Sequence, residues 1–530
     1  MKKRSRACQE CHRLKIKCDL STSPAGAACE RCVRNNLDCV PSAPRLQRDR
    51  ISQLEAQVDE LKRMLREQSS TTITTTPSRS PGSILEDHSD FILSFLDARI
   101  PLGRQQNLLH LFTQEAGAVW PMIRLSTDLD ELRVKSPILL LSVLTYTVTH
   151  NSQGTDLEIH DELVRQTVHI LGEEVIGRGQ RSLELVQALL VASFWNKTTR
   201  RGLQGSCYQL IQLAADMAVD IGIAGPSLQP SPVAFFSQHE DPTSLEARRT
   251  WLACFVALAT SSFSLRRPNT IPWNPHHHEC LLALESGEDP SDILLCQIVR
   301  IIQVIQEIHD QLGLCQISTF LNGNDYAIYA AMETLKNSVD LWAAQIPPSL
   351  TSSQTLKVLY HVAMVLIYEP ILHTPTNKAA FIPPFIPQRI PIKDFPKPDN
   401  VIVPLKMALE GLVQNCHGVI DTVAGMDPSM VLNISTFSFT PMVLYSLFML
   451  VTAMVSATDP TNTYGQCLPK ASFYIDECGL KLRQLSSSMK ALDPTFSCYT
   501  TRMIDATSWL EQWYIDYTRI LRRYEANLAN

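Results

Sequence analysis

The stretches CQECHRLKIKC (residues 8–18) and CERCVRNNLDC (residues 29–39) repeat one cysteine spacing, C-x2-C-x6-C, near the start of the chain. A repeat of this kind predicts two equivalent half-sites related by a pseudo-twofold axis. No secretion signal precedes it, so the thiols are expected to stay reduced and to bind zinc rather than form disulfides. The predicted metal ligands are six cysteines: Cys8, Cys11, Cys18, Cys29, Cys32 and Cys39.

The number of sulfurs indicates how many metal ions they hold. Zinc prefers four tetrahedral ligands, so one ion would leave two of the six thiols idle. Two Zn²⁺ ions can each reach four ligands if two sulfurs bridge. The pseudo-twofold axis requires the bridging pair to be equivalent, which leaves three alternatives: Cys8/Cys29, Cys11/Cys32 or Cys18/Cys39. The spacing therefore predicts a binuclear zinc centre.

Positive charge is concentrated around this stretch. Residues 1–50 carry 12 Lys/Arg and 5 Asp/Glu, although the whole chain has a net charge of −6. A basic head on an acidic body favours a local polyanion site over a chain that coats nucleic acid along its length. The candidates for DNA contact are Arg13, Lys15 and Lys17 in the first repeat and Arg31 and Arg34 in the second. The alternative is a zinc scaffold that contacts only protein.

These residues resemble the fungal Zn(II)2Cys6 binuclear-cluster transcription factors. The resemblance rests on the six cysteines, on Lys15 and Lys17 before the third cysteine, and on Asp19 after it. It implies that Cys8 and Cys29 bridge the two ions. It also implies that the first short helix enters the DNA major groove, commonly over a CGG triplet, where Lys15 contacts a base. Arg13, Lys17, Arg31 and Arg34 are then expected to contact phosphates.

Residues 51–68 show the pattern of a coiled coil. Ile51, Leu54, Val58, Leu61 and Leu65 follow heptad steps, and mostly charged residues lie between them. β-Branched residues at the a positions with leucine at the d positions favour two parallel strands, which predicts a homodimer. The alternative is one amphipathic helix packed against its own chain. A linker (45–50) precedes this segment, and a Ser/Thr/Pro-rich linker (69–89) follows it.

Residues 90–530 read as a large all-α regulatory domain, because helical periodicity recurs and strand alternation is hard to find. The apolar run 442–457 is short for a bilayer and predicts a buried helix rather than a membrane span. Proline-rich breaks at 225–242 and 375–404 predict irregular excursions. The segments AADMAVDIGI (214–223), RRTWLACFVALATSSFSLRRP (248–268) and LIYEPIL (366–372) resemble the family's regulatory region. That resemblance implies a helical domain that transmits activation, in some members through a small-molecule effector.

Residues 90–530 carry none of three common enzymatic motifs. The sequence has no Gly-rich phosphate loop, no G-x-S-x-G elbow and no H-E-x-x-H, so it predicts no enzyme. The run His276 to Cys280 follows Pro275 in a segment predicted to be irregular, where adjacent residues do not converge on one metal ion. The pair Arg266-Arg267 is expected to satisfy a buried carboxylate, with anion binding as the alternative.

Together these observations predict a small Zn2Cys6 module (1–44) and a short coiled coil (51–68), followed by an all-α regulatory domain (90–530). The predicted function is that of a nuclear, sequence-specific DNA-binding transcription factor controlling a metabolic or biosynthetic gene cluster. Lys2, Lys3, Arg4 and Arg6 suggest nuclear import. Expected partners are double-stranded DNA, a second copy through 51–68, the transcription machinery and a small-molecule effector, with no membrane. The alternatives are a zinc-cluster corepressor acting by protein contact and a ligand sensor with accessory DNA binding.

Overall fold

A computed structural model of the 530-residue chain divides into two compact units, residues 1–85 and 86–530. In the first unit the structure describes residues 7, 8, 11, 15, 17, 18 and 28–39. In the second it describes residues 88–529 apart from 149–153, 196–206, 227, 232–239, 288, 319–320, 322–324, 399, 434–439, 460–461, 467, 495 and 497. The predicted coiled coil (51–68), the linker 45–50 and most of the linker 69–89 lie outside the described residues.

The first unit contains one described helix, α1 (Glu30–Arg34), in the second cysteine repeat. Cys29 precedes the helix in extended conformation, and Cys32 is its buried residue. Past its end, Asn36 adopts a left-handed φ of 52°, a conformation that asparagine tolerates better than most residues. The backbone N–H of Leu37 then donates to the carbonyl oxygen of Cys32 at 2.9 Å. This turn reverses the direction of the chain just before Cys39.

The second unit is built from helices, and its described residues include no β-strand. This confirms the all-α prediction. In chain order the helices are α2 (His88–Asp97), α3 (Leu102–Leu111), α4 (Gly117–Val119), α5 (Leu129–Lys135), α6 (Pro137–Thr147), α7 (Gly154–Gly172), α8 (Leu183–Phe194), α9 (Cys207–Asp220), α10 (Leu245–Leu265), α11 (Pro275–Glu285), α12 (Pro290–Gln311), α13 (Tyr326–Ala344), α14 (Gln354–Tyr368), α15 (Val403–Ala424), α16 (Pro428–Asn433), α17 (Thr440–Thr458), α18 (Ile475–Leu492) and α19 (Tyr499–Ala529). π-Helical turns follow α3 (Phe112–Ala116) and α7 (Glu173–Gly177).

Helix starts follow local capping chemistry. Proline occupies the first position of α6, α11 and α12, where its missing N–H costs no hydrogen bond. In α11 the side chain of Asn274 accepts from the N–H of His277, and the His277 ring accepts from the N–H of Asn274. The prediction that the segment after Pro275 is irregular is therefore wrong. The proline and this reciprocal cap begin a helix at Pro275 instead of ending one.

The core of the second unit is one continuous apolar cluster, to which α6, α8, α10, α14 and α17 contribute most of their apolar residues. Two described segments are long and apolar enough to cross a membrane, Gln354–Leu372 and Pro441–Thr458, but 83% and 89% of their residues are buried. The protein interior thus accounts for their apolar sequences, and the predicted buried helix over 442–457 is confirmed.

The second proline-rich break is irregular, as predicted. Among the described residues between the end of α14 and the start of α15, the helical segments are short 3₁₀ turns at Glu369–Leu372, Lys378–Phe381 and Pro387–Arg389. Phe381, Phe385, Ile390 and Phe395 from this excursion are buried in the main core. The excursion is therefore part of the packed structure. Seven of the cysteines beyond the first unit are buried as small core residues: Cys207, Cys254, Cys280, Cys296, Cys416, Cys478 and Cys498.

Candidate metal centre and nucleic-acid interface

Four cysteine sulfurs from the two repeats meet in the first unit. The Sγ atoms of Cys8, Cys11, Cys29 and Cys32 all lie within 4.8 Å of one another, and all four residues are buried. The Sγ atom of Cys8 is 3.8 Å from that of Cys29 and 3.6 Å from that of Cys32, and Cys11 and Cys29 are also 3.8 Å apart. The edge of a tetrahedron of sulfurs around zinc is about 3.8 Å for Zn–S bonds of about 2.3 Å. The spacing of these thiols therefore fits zinc.

The other two cysteines join this group in equivalent ways. The backbone N–H of Cys8 donates to Cys18 Sγ at 3.3 Å, and that of Cys29 donates to Cys39 Sγ at 3.2 Å. The Cys18 thiol interacts with the thiols of Cys8, Cys11 and Cys29. The Cys39 thiol interacts with those of Cys8, Cys29 and Cys32. Cys8 and Cys29 are thus common to both sets.

The backbone repeats this pseudo-twofold relation. Lys15 has a φ of 53°, and Asn36, at the corresponding position of the second repeat, has a φ of 52°. Both side chains are exposed. Asn36 lies just past the end of α1, so the correspondence puts Lys15 at an equivalent turn of the first repeat. An exposed cationic side chain therefore lies at this turn.

The pKa values of the cysteine thiols differ, and a bound metal ion would favour the thiolate form of each. The backbone amide of Cys32 is the main cause that lowers the pKa of Cys29, to about 6. Burial raises the pKa of Cys18 to about 12, and neighbouring thiols reinforce this shift. Four of the six thiols are buried and two are half-buried. Thiolates in such a site are unfavourable without a compensating cation, and Zn²⁺ would supply that positive charge.

The predicted DNA-contacting residues do not share one environment. Lys15, Lys17 and Arg34 are exposed, whereas Arg31 is half-buried. The Arg31 Nη1 atom lies 3.7 Å from Cys11 Sγ and donates to it across the two repeats. The cysteine cluster raises the pKa of the guanidinium, with the Cys11 hydrogen bond as the largest cause. Arg31 therefore contacts a predicted zinc ligand, a role that the basic pattern did not indicate. Arg13 lies outside the described residues.

The second unit contains a buried charged cluster. Arg266 Nη2 and the Tyr445 hydroxyl both donate to Glu369 Oε2, and His373 Nε2 lies 3.0 Å from Glu369 Oε1. Burial raises the pKa of Glu369, but the Arg266 guanidinium, His373 and Tyr445 outweigh it and lower that pKa to about 2. The predicted pairing of the Arg266-Arg267 motif with a buried carboxylate is confirmed for Arg266. Sequence reasoning did not identify Glu369, although it stands in the quoted segment LIYEPIL.

The histidine-rich run in α11 does not form a metal site. His276 Nε2 lies 3.1 Å from the carbonyl oxygen of Ile223, and His277 is stacked between Trp251 and Trp273. Within the part of the chain that the structure describes, the one group of three or more ligands close enough for a metal ion is the cysteine cluster.

Comparison with known families agrees with this geometry. The family model described as "Fungal Zn(2)-Cys(6) binuclear cluster domain" matches residues 6–49, and the model described as "Fungal specific transcription factor domain" matches residues 124–342. The chain carries the two domains of a fungal Zn2Cys6 transcription factor. Its domains are those of transcription regulators that bind zinc and DNA, and not those of enzymes.

Curated relatives that are named transcription factors match the chain at low identity. The chain is 26% identical over 392 residues to "Transcription factor pbcR" of Emericella nidulans. The matched region covers 64% of this chain and 52% of that protein. It is 23% identical to "Transcription factor opdL" of Penicillium oxalicum, over 68% of this chain and 67% of the relative. It is 25% identical to "Transcription factor himD" of Aspergillus japonicus, over 70% and 63%. The match thus spans about half the length of pbcR. No solved structure matches the chain.

Proposed function

We propose that this transcription factor holds two Zn²⁺ ions through its six cysteines, with Cys8 and Cys29 bridging. Cys8 and Cys29 contact each other, and both interact with Cys18 and with Cys39. These contacts support Cys8/Cys29 as the bridging pair over Cys11/Cys32 and Cys18/Cys39. Cys11 and Cys18 complete one ligand set, and Cys32 and Cys39 complete the other. The ions supply the cross-links that hold this module together, because four tetrahedral thiolates per ion satisfy zinc.

The proposed activity is sequence-specific binding of double-stranded DNA in the nucleus, at CGG-like triplets. The observation that carries it is the exposed Lys15 at a turn beside the cysteine cluster, in a half of the module that also bears Arg13 and Lys17. An exposed lysine can donate to guanine O6 and N7 in the major groove. Lys17 and Arg34 are proposed as phosphate contacts. Arg31 is proposed to stabilise Cys11 rather than to bind phosphate.

The remaining parts of the proposal concern organisation. The proposed domains are a DNA-binding module at 1–44, a linker at 45–50, a dimerising coiled coil at 51–68, a second linker at 69–89 and a regulatory domain at 90–530. Two copies would place two modules on paired triplets and pass regulatory signals to the transcription machinery. By resemblance to the family, the proposed targets are the genes of a metabolic or biosynthetic cluster.

The test replaces Lys15 with alanine in the full, zinc-loaded chain and measures binding to a paired-triplet duplex and to a scrambled duplex. Lys15→Ala is expected to weaken cognate binding by about 1–3 kcal/mol and to leave scrambled binding nearly unchanged, because a base contact is lost. Asn36→Ala is the matched control, since it also puts alanine at a positive φ in the equivalent position.

Equal losses on the two duplexes would assign Lys15 to phosphate and contradict the base-contact proposal. No binding of any duplex by the folded, zinc-loaded chain would favour the corepressor that acts by protein contact. Selection of sites from random duplexes, with and without a zinc chelator, would report the triplet and the half-site spacing. Recovery of single triplets would contradict dimerisation through 51–68.

A ligand sensor is a second candidate, favoured by a cleft of about 490 Å³ between α15, α16 and α18. Apolar Met426 and Leu485 line it beside the ion pair of Lys481 with Asp421, whose Nζ and Oδ1 atoms are 2.7 Å apart. Small-molecule sites often combine an apolar lining with a few polar groups. Metabolite-dependent thermal stabilisation that is lost in Lys481→Ala would support an effector there.

A further inference from the structure

Arg31 links the two halves of the cysteine cluster in one direction only. Its Nη1 atom, in the second repeat, donates to Cys11 Sγ in the first repeat, 3.7 Å away. The cysteine spacing makes Glu10 the residue of the first repeat that corresponds to Arg31. An ionised glutamate side chain has no N–H to donate. Cys11 therefore has a cationic donor that the corresponding residue cannot supply to Cys32.

Cys11 and Cys32 are otherwise equivalent. Both side chains are completely buried, so neither thiol is more open to solvent than the other. Each thiol interacts with both proposed bridging thiols and with the last cysteine of its own repeat. Among the described residues, the side chains that interact with the Cys32 thiol are all cysteines, whereas Cys11 also accepts from a guanidinium. Arg31 is thus what distinguishes these two ligands.

The guanidinium should make Cys11 the less reactive of the two thiolates. Six thiolates outweigh the charge of two Zn²⁺ ions, so the whole cluster attracts cations. A hydrogen bond from a charged donor neutralises part of the charge on one sulfur, and that sulfur then competes less well for protons and electrophiles. Metal binding requires deprotonated thiols, so this protection favours retention of the ion. Groups that hydrogen-bond to metal ligands typically change metal affinity about 10- to 100-fold.

Two pairs of cysteines each belong to one metal site: we call Cys11 with Cys18 the first pair, and Cys32 with Cys39 the second pair. We infer that Arg31 is a positioning residue that makes the two metal sites unequal, so that the second pair releases its ion before the first pair does. This inference rests on the proposed binuclear centre with two bridging cysteines. Because Cys29 would remain bound to the retained ion, Arg31, two residues further on, would stay beside Cys11.

The experiment follows which cysteines become free as zinc is withdrawn from the full, zinc-loaded chain. A chelator acts for increasing times, free thiols are labelled with iodoacetamide, and each labelled cysteine is located by mass spectrometry. In the wild type, the second pair should be labelled at least about 10-fold faster than the first pair. Cys8 and Cys29 should be labelled together with the first pair, because they remain ligands of the retained ion.

Substitutions in α1 test whether the guanidinium causes this order. Arg31→Leu should make the labelling rates of the two pairs nearly equal, because the donor and its charge are both lost. Arg31→Lys keeps the charge and should recover part of the difference. Arg34→Leu is the matched control, because Arg34 is an exposed arginine on the same helix. Its loss should leave the order of labelling unchanged.

The outcomes separate this inference from the binuclear proposal. Native mass spectrometry of the untreated chain should count two zinc ions. A chain that holds one ion at saturation would overturn the binuclear proposal, and the inference with it. Two ions with equal labelling of the two pairs, or with faster labelling of the first pair, would overturn the inference and leave the binuclear proposal standing. An order of labelling that persists in Arg31→Leu would also overturn the inference.

Discussion

The two units use opposite means to exclude water from their interiors. In the first unit every described buried residue is a cysteine, and Val33 and Leu37 are exposed. In the second unit a continuous apolar core surrounds a few buried charges, of which Arg266 and Glu369 pair directly. A module of this size cannot bury enough apolar surface to fold unaided, so metal–ligand bonds must replace the missing core. One chain thus combines a unit held together by metal–ligand bonds with a unit held together by packed apolar side chains.

Of the changes considered, metal removal should affect the two units most differently. A zinc chelator is expected to unfold the first unit, since structural zinc contributes about 10–16 kcal/mol to such folds at neutral pH. The second unit should keep its helices. Hydrogen exchange resolved by segment is the measurement, with loss of protection expected over residues 28–39 and retention in α10, α14 and α17.

Two single substitutions provide a matched pair for this result. Cys11→Ser should mimic the chelator in the first unit, because it removes a ligand. Cys416→Ser alters an equally buried thiol in the second unit and should leave residues 28–39 protected. Retained protection of residues 28–39 in the chelated wild type would contradict the metal-built core.

Arg266 and Glu369 form a buried ion pair inside the apolar core of the second unit. Arg266→Met should lower the free energy of unfolding of this unit by about 3–5 kcal/mol, because it leaves the Glu369 carboxylate buried without its cation. Thermal or denaturant unfolding is the measurement. Arg267→Met is the neighbouring control: Arg267 is exposed and lies over the Tyr208 ring, so its loss should cost about 1 kcal/mol or less.

The double variant Arg266→Met with Glu369→Gln removes the two charges together. It should be less destabilised than the sum of the single variants, because neither partner remains buried and charged. Additive losses would show that the two side chains do not act as a pair.

Acid should reveal the cost of burying a neutral histidine in the hydrocarbon core. Burial lowers the pKa of His277 to about 3, and His276 adds to this effect. The unfolded chain therefore binds a proton as the pH falls below about 6.5, and the folded chain does not. The free energy of unfolding should decrease by about 1.4 kcal/mol per pH unit for this group between pH 6 and 4.

His277→Phe keeps an aromatic ring between Trp251 and Trp273 and should remove one proton from the pH dependence of unfolding. The measurement is denaturant unfolding at several pH values. His278→Gln, at the exposed neighbouring position, is the control substitution. An unchanged slope in His277→Phe would contradict a neutral buried His277.

Sequence reasoning predicted most of the fold because the relevant signals were local. The recurring helical periodicity of residues 90–530 indicated an all-α domain, and the described residues of that region include many helices and no strand. The prediction after Pro275 was wrong because proline at the first position of a helix starts it, and the deciding cap came from Asn274. The coiled coil over 51–68 and the domain boundaries stay predictions.

For the candidate site, too, local features could be predicted from the sequence and long-range contacts could not. Metal-ligand identity depends on residue type and spacing, so the cysteine cluster and the class of protein could be predicted from the sequence. The assignment of all six cysteines as ligands stays a prediction. Arg31 was assigned to phosphate by its charge, and only the fold showed that its guanidinium reaches Cys11.

The spacing of the cysteines and the period of the apolar residues are properties of neighbouring positions, and they were enough to establish a zinc module followed by a helical body. Contacts between positions far apart in the sequence are known only once the packing of the chain is known. Arg266 and Glu369 are 103 residues apart, and no local pattern links them. The exposure of Trp509, Ile520 and Tyr524 likewise depends on which side of α19 the rest of the unit covers. Pairing and exposure arise when elements pack together, and that is why they belong to the tertiary structure.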